Sequence, residues 1–294
     1  MLDRILVPLD GSEVSERALP YAAEIAARLG SELTLLYVAD REDAEHRRVF
    51  EAYLETVARR TAEQYGGHQI RITAVVRQGN PPSVIVDYAA ESHASLIVIA
   101  SHGRSGAAPW AVGGTAAKVV QHLGVPTLLV RAGQAPAAGE AGKLFDRVLV
   151  PLDGSAAGEA ALPYVTELAK HAAMKISLLE VIAPGQYVHT VGGLNYVRLP
   201  PELTEKMKTD AELYLEKVRA TLSGTKAVAE CEVRDGDAAL EILKFCDEKP
   251  VSLVAMSSHG HSGIERWMLG SISHKVLHAG KTSLLLVKAT AATA

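Results

Sequence analysis

The sequence predicts an α/β fold in which two tandem doubly wound, Rossmann-like domains each carry a five-stranded parallel sheet flanked by helices. Three observations predict it: the chain repeats itself once, short apolar runs alternate with helical stretches in each copy, and those runs are apolar on consecutive positions. Consecutive apolar positions are typical of strands buried on both faces of a parallel sheet. The length of 294 residues is about twice the roughly 150 residues of a usual domain, which agrees with two units.

Matched segments establish the internal repeat. The segment RILVPLDGS at 4–12 returns as RVLVPLDGS at 147–155, with an offset of 143 residues. The later segment SHGRSG at 101–106 returns as SHGHSG at 258–263, with an offset of 157. The second copy has therefore gained 14 residues between its second and third strands, around Gly185 to Pro201.

A stretch rich in Ala, Gly and Pro separates the two copies. Residues 132–143, AGQAPAAGEAGK, show no apolar period and are predicted to be a linker. The predicted domains are therefore residues 1–131 and residues 144–294.

Strands and helices follow in order through the first copy. Its apolar runs, each predicted to be a strand, are RILVPL, ELTLLYV, IRITAVV, SLIVIAS and PTLLVRA. Pro8 lies where the first run ends, which suits a residue that cannot donate a hydrogen bond inside a ladder. The first helix has apolar residues three and four positions apart from Val14 to Leu29, and Gly30 is placed to cap its end.

Composition and charge exclude several classes of protein. Hydrophobic residues make up 48% and charged residues 22% of the chain, as is ordinary for a folded globular protein. The net charge of −4 offers no broad basic face, so neither a nucleic acid nor a membrane is expected as a partner. Cys231 and Cys246 are too few for a disulfide framework and are interpreted as core residues in a reducing compartment. Because no leader sequence or long apolar stretch is present, cytoplasmic residence is expected.

A ligand site is expected beyond the carboxyl ends of the strands, at the point where the strand order reverses. One segment directed there is the DGS turn after the first strand, at Asp10–Ser12 and Asp153–Ser155. The other is a glycine-punctuated loop after the fourth strand, at 100–115 and 257–272. Glycine permits positive φ and close backbone approach, and a helix that begins at Gly270-Ser271 directs free N–H groups toward an anion. These parts are suited to hold phosphates.

The repeated VPLDGS and the glycine loops resemble the universal stress protein family, over nearly the whole chain and twice. That family carries the ATP-binding pattern Gly-x2-Gly-x9-Gly-Ser/Thr after its fourth strand. The second copy departs from the pattern only at its first position and reads Ser257-x2-Gly260-x9-Gly270-Ser271. The first copy departs at the first and last positions and reads Ala100-x2-Gly103-x9-Gly113-Gly114.

The resemblance implies a role for each matched residue. In the second copy, Asp153 would bond the ribose hydroxyls and the backbone of Val181 would read the adenine edge. The phosphates would be held by Gly260, Gly270, Ser271 and the amide of Ile272. The corresponding set in the first copy is Asp10, Val38, Gly103, Gly113, Gly114 and Thr115. A carboxylate suits a ribose diol, because two hydroxyl donors satisfy an ionised acceptor.

Structural interpretations of the same residues stay open at this point. Asp10 and Asp153 are also placed to stabilise a helix start, and the glycines to shape a turn. Histidines near the second loop are interpreted as solvated surface side chains, because no cysteine or carboxylate completes a metal site with them. They are His259, His261, His274 and His278.

Three functions are compatible with the sequence. The leading one is an ATP-binding regulatory protein of the stress response, which takes ATP with Mg. No catalytic residue is assigned, because the sequence has no Walker lysine after a glycine loop and no nucleophile with a histidine base at an identifiable spacing. The second is a slow ATP hydrolase or ATP-using transferase on the same cleft. The third is an interaction protein that binds no nucleotide.

Two expectations concern the arrangement of the copies. The resemblance implies that the last strands, 126–132 and 282–288, lie at a sheet edge, and because unpaired edges invite aggregation they are predicted to pair into an internal pseudo-dimer. Assembly into a homodimer stays open. The 14-residue enlargement follows the second strand of its copy, so it is predicted to lie over the mouth of the second pocket, with an indifferent surface loop as the alternative.

The two sites are expected to differ in affinity. Ser271 offers a phosphate both a hydroxyl and an amide, whereas Gly114 offers only the amide. A hydrogen bond to a charged oxygen contributes about 1.5–3 kcal/mol. The hydroxyl of Thr115 lies one residue after the position equivalent to Ser271, and one residue corresponds to a rotation of about 100° around the helix. The second copy is therefore predicted to bind ATP more tightly.

Overall fold

The structure is a computed structural model of the chain. It describes residues 1–39, 44–65, 70–103, 112–122, 124–131, 144–183, 185–190, 193–260 and 269–289. The predicted linker at 132–143 lies outside the described residues.

Strands and helices alternate through both halves, as predicted. The strands of the first half are Arg4–Leu9 (β1), Glu32–Ala39 (β2), Ile72–Gln78 (β3), Leu96–Ala100 (β4) and Thr127–Val130 (β5). Its helices are Glu13–Glu16 (α1), Leu19–Leu29 (α2), Ala44–Gln64 (α3), Pro81–Glu91 (α4) and Gly114–Gln121 (α5). The strands of the second half are Arg147–Leu152 (β6), Lys175–Ile182 (β7), Gly185–Thr190 (β8), Gly193–Arg198 (β9), Val228–Asp235 (β10), Leu253–Ser257 (β11) and Ser283–Val287 (β12). Its helices are Leu162–His171 (α6), Pro201–Thr221 (α7), Ala238–Glu248 (α8) and Ser271–Ala279 (α9).

The two halves share one ten-stranded sheet, in the order β10-β7-β6-β11-β12-β5-β4-β1-β2-β3. Its neighbouring strands are parallel except at the centre, where β12 and β5 run antiparallel. Leu285 pairs there with Leu128, and the two residues occupy the same position in their copies. The predicted pairing of the last strands is therefore confirmed, with a pseudo-twofold axis through this leucine pair.

Both faces of the sheet are buried, which explains the consecutive apolar positions. Ile5 and Val7 of β1 belong to one hydrophobic core, and Leu6 between them belongs to the core on the opposite face. The first core continues from one half to the other, where the ring of Tyr21 meets that of Phe145 edge-on at a centroid distance of 5.8 Å.

The first helix is shorter than its periodicity predicted. Helix α1 ends at Glu16 and α2 begins at Leu19, because Pro20 in the first turn of α2 has no N–H to continue the helical ladder. The predicted cap is confirmed: Gly30 has a φ of 71° and its N–H bonds the carbonyl of Ala26.

The residues that the second copy gained form a β-hairpin. Strands β8 and β9 pair antiparallel as a separate two-stranded sheet between β7 and α7. Its predicted position over the second pocket stays a prediction.

One arginine crosses from the first half into the second. Arg131 follows β5, is 1% exposed, and donates from its guanidinium to the carbonyl of Leu277 near the end of α9. Its backbone N–H donates to Ser283 Oγ at 3.2 Å. Burial lowers the pKa of Arg131 to about 10, so the side chain stays charged at neutral pH. A buried cation thus joins the two domains beside their central strands.

Candidate functional site

A cleft opens where the strand order of the first half reverses. Strand β1 lies between β2 and β4, and the helices that follow β1 and β4 pack on opposite faces of the sheet, α2 in one core and α5 in the other. A cavity of about 810 Å³ lies at this edge. All seven residues that the sequence assigned to the first site line it: Asp10, Val38, Ala100, Gly103, Gly113, Gly114 and Thr115.

The carboxylate of Asp10 is fixed by the turn that follows it. Asp10 Oδ1 accepts from the backbone N–H of Ser12 at 3.0 Å and from its hydroxyl at 2.6 Å. Ser12 in turn caps α1 by accepting from the N–H of Ser15. Asp10 therefore does accept hydrogen bonds from the turn at the helix start, as its structural interpretation predicted. These bonds fix the orientation of the carboxylate at the cavity.

Val38 extends past the end of β1 into the cleft. The last residue of β2 that pairs with β1 is Tyr37, opposite Leu9, while Val38 is paired with Arg77 of β3 on its other side. The backbone of Val38 on the β1 side thus lies beyond the ladder, next to the cavity that it lines.

Close backbone approach, and not positive φ, explains Gly113 of the loop. The N–H of Gly113 donates to the carbonyl of Ser101 at 2.7 Å, and a Cβ on Gly113 would lie 3.3 Å from that oxygen. Gly113 has an ordinary φ of −64° and precedes α5 as its N-cap. Positive φ values occur instead at Gly11 and Gly154 in the two DGS turns.

The second half repeats this framework. Asp153 Oδ1 accepts from the N–H and hydroxyl of Ser155 at 3.1 and 2.6 Å. The N–H of Gly270 donates to the carbonyl of Ser258 at 2.8 Å and precedes α9, as predicted. The remaining assigned residues occupy matching places: Val181 is one residue beyond the last pairing of β7 with β6, Ser257 ends β11, and Gly260, Ser271 and Ile272 follow on the same rim.

An aromatic wall distinguishes the first site, and the sequence reasoning missed it. The rings of Tyr37 and Phe50 stack at a centroid distance of 4.0 Å, and both line the cavity with His46 of α3. The position of Tyr37 is taken in the second half by Glu180, which pairs with Leu152 just as Tyr37 pairs with Leu9. In the sequence, this difference is visible as Tyr37-Val38 near the end of β2 and Glu180-Val181 near the end of β7.

Serine–histidine pairs, one buried and one partly buried, are the second feature that the sequence reasoning missed. Ser101 Oγ lies 3.1 Å from His102 Nδ1, and Ser258 Oγ lies 2.9 Å from His259 Nδ1. Burial lowers the pKa of His102, and the charge of Arg131 acts in the same direction. The identical SHG segments of the two copies were the signal that could have identified these residues.

The surface interpretation of the histidines is therefore wrong for His259. This side chain is half-buried, and its Nε2 is inaccessible. His274 and His278 are exposed on α9, with ring centroids 4.4 Å apart, and His261 lies outside the described residues. Burial and the neighbouring His274 lower the pKa of His278. In the part of the chain that the structure describes, no three metal-ligating side chains cluster.

Comparison with known proteins shows the same organisation. The model of the universal stress protein family matches residues 1–131 and again residues 144–288. The universal stress protein YxiE of Bacillus subtilis is 32% identical over 150 residues, which cover 49% of this chain and all of that protein. The universal stress protein Rv2005c of Mycobacterium tuberculosis is 24% identical over 97% of this chain and 96% of its own length.

Solved structures agree in fold. A universal stress protein from Archaeoglobus fulgidus covers 99% of this chain and 100% of its own, with a TM-score of 0.68 at 20% identity. A crystal structure from Pseudomonas aeruginosa covers 98% of this chain and 93% of its own, with a TM-score of 0.72 at 14% identity. Among the described helices, none is long and apolar enough to span a membrane.

Proposed function

The chain belongs to the universal stress protein family, and we propose that it is a regulatory protein in which each domain binds an adenine nucleotide, ATP with Mg, at the switch-point cleft. Occupancy of the two clefts would change the conformation or the partner choice of the tandem unit. No residue is assigned a catalytic role.

The observation that carries the proposal is the meeting of three kinds of group in one cavity. Asp10 supplies a carboxylate for the ribose hydroxyls, and the backbone of Val38 supplies an edge for the base. The first turn of α5, from Gly114 and Thr115, supplies free N–H groups and the positive end of a helix dipole for the phosphates. A volume of about 810 Å³ accommodates a ligand of this size, since pockets for small ligands measure roughly 300–1,000 Å³.

Nucleotide analysis of the purified protein after heat denaturation tests the proposal most directly. We expect adenine nucleotide to be released, or to bind when it is added in calorimetry. Protein that releases none and takes up none would overturn the proposal and favour an interaction protein. ATP turnover well above that of a variant with Gly260→Ala and Gly270→Ala would favour a hydrolase instead.

We also propose that the second site binds ATP more tightly than the first. Gly114 is exposed, and a Cβ built there meets no atom within 4 Å, so the backbone amide is what this position offers a phosphate. Ser271 is equally exposed at the start of α9 and adds its hydroxyl. Titration of ATP against Asp10→Ala and Asp153→Ala separates the sites. We expect Asp153→Ala to remove the tighter phase, and loss of that phase in Asp10→Ala would reverse the ranking.

A further inference from the structure

In each domain, the described residues bury one histidine ring nitrogen without a hydrogen-bond partner. His102 Nε2 and His259 Nε2 have no hydrogen-bond partner in the described part of the chain. The other nitrogen of each ring is engaged by the preceding serine. A buried polar nitrogen left unpaired costs free energy, so native proteins rarely keep one without a reason. The same atom in both copies indicates a shared requirement.

The position of His102 indicates what would satisfy this nitrogen. His102 is 5% exposed and lines the first cavity. A Cβ built on Gly113 would lie 4.0 Å from His102 Cδ2, the ring carbon bonded to Nε2. The ring therefore stands beside the N-cap of α5, where free N–H groups and the helix dipole favour an anion. The histidine ring and the start of α5 are thus neighbours in the lining of one cavity.

The neutral imidazole of His102 can carry its proton on Nε2, where it could be donated to an anion. Burial and the nearby charge of Arg131 disfavour the doubly protonated form of His102 by lowering its pKa. When the hydroxyl of Ser101 donates to Nδ1, the single ring proton stays on Nε2, which is then a donor. An anionic oxygen close to Nε2 would select this tautomer.

We propose that His102 Nε2 in the first domain, and His259 Nε2 in the second, donates a hydrogen bond to a phosphate oxygen of the bound ligand. The serine–histidine pairs are then part of the phosphate-binding machinery, and they favour phosphorylated ligands over bare nucleosides. This inference rests on the nucleotide site proposed above but does not depend on the base, because inorganic tripolyphosphate offers the same oxygens.

Two substitutions separate a ligand role from a structural one. His102→Asn keeps a polar atom near the Nδ1 position and removes Nε2, whereas His102→Gln can return an amide N–H near Nε2. We expect ATP affinity to fall roughly tenfold in His102→Asn, to recover in part in His102→Gln, and adenosine affinity to stay unchanged. Without nucleotide, His102→Asn should melt no lower than the parent, since an unpaired donor is removed. The control is His171→Asn, an exposed histidine at the end of α6.

Nitrogen-detected NMR of the histidine rings in the full chain gives a second readout that needs no folded variant. The His102 Nε2 resonance should shift on addition of ATP or tripolyphosphate and not on addition of adenosine. Unchanged ATP affinity in His102→Asn, an equal loss for adenosine, or an unmoved Nε2 resonance with ATP bound would overturn the inference. A shift with tripolyphosphate in protein that binds no adenine nucleotide would sustain the inference and reject the proposed function. A chain that binds neither ligand would reject both.

Discussion

Gly103 packs directly against the carboxylate of Asp10: a Cβ on Gly103 would lie 2.0 Å from Asp10 Oδ2. Gly260 stands in the same relation to Asp153, at 2.1 Å. The loop after the fourth strand and the turn after the first thus meet through a glycine in both domains. The position of each carboxylate depends on the absence of a side chain across from it.

Substitution of Gly103 by alanine should weaken the first site. The added methyl group cannot share space with Asp10 Oδ2, so the carboxylate must rotate away from the ribose position. We expect at least a roughly tenfold loss of ATP affinity at this site and a loss of stability of about 1–3 kcal/mol from overpacking. Calorimetry and urea unfolding measure the two effects.

The matched control is Gly224→Ala, where a new Cβ meets no atom within 4 Å. It should change neither the affinity nor the stability by a measurable amount. If Gly103→Ala behaved like this control, the contact between Gly103 and Asp10 would not determine the site.

Loss of the buried arginine should loosen the join between the domains. Arg131→Met keeps the apolar stem but leaves the carbonyl of Leu277 without the guanidinium donor. An unsatisfied buried carbonyl costs about 1–3 kcal/mol, and we expect the free energy of unfolding to fall by that amount. Lys288, at the same repeat position in the second domain, is exposed, so Lys288→Met should cost less than about 0.5 kcal/mol. Equal effects in urea unfolding would contradict the proposed importance of burial.

Acid should remove a contribution of Asp237 to stability. The N–H of Leu240 and the ammonium of Lys275 hold the pKa of Asp237 below its usual value. A carboxylate whose pKa is lower in the folded state stabilises the fold at pH values above its unfolded pKa of about 3.9. This stabilisation is lost as the pH falls through the folded-state pKa. Asp237→Asn, which keeps a capping side chain, should therefore be less stable by under about 1 kcal/mol at pH 7, because the group is partly exposed. The difference should shrink as the pH falls below about 3.9, and a gap that stays constant from neutral to acid pH would refute it.

The hairpin formed by β8 and β9 should become harder to cleave when ATP binds. A segment after β7 leaves the sheet at the rim where the second nucleotide is proposed, so a ligand would restrain it. Limited proteolysis, with the cleavage sites between residues 185 and 201 identified by mass spectrometry, measures the rate. One rate with and without ATP would reject a lid, and Asp153→Ala should abolish any protection.

The same tyrosine–glutamate hydrogen bond occurs in both domains, and the sequence did not predict it. Tyr53 donates to Glu16 and Tyr214 donates to Glu159, each at 2.9 Å. The glutamates are separated by 143 residues but the tyrosines by 161, because the second copy has 18 more residues between its glutamate and its tyrosine, the β8–β9 hairpin among them. The matching segments YLETV at 53–57 and YLEKV at 214–218 indicate that the two tyrosines are equivalent. The sequence does not show that they bond the glutamates, because that contact depends on how α3 and α7 pack against the first helical turn of each domain.

The sequence by itself determined the repeat, the parallel sheet and the place of the cleft, and its resemblance to the family supplied the edge position of the last strands and the seven lining residues of the first cleft. The repeat, the strands and the place of the cleft follow from apolar period, glycine position and strand order, which are properties of neighbouring residues and of general topology. Tertiary structure alone decided that Phe50 stacks on Tyr37, that His102 Nε2 is buried, and that Arg131 reaches Leu277. Each of these contacts depends on the burial of a side chain or on the register and rotation of distant elements, and these are set by the packing of the whole core.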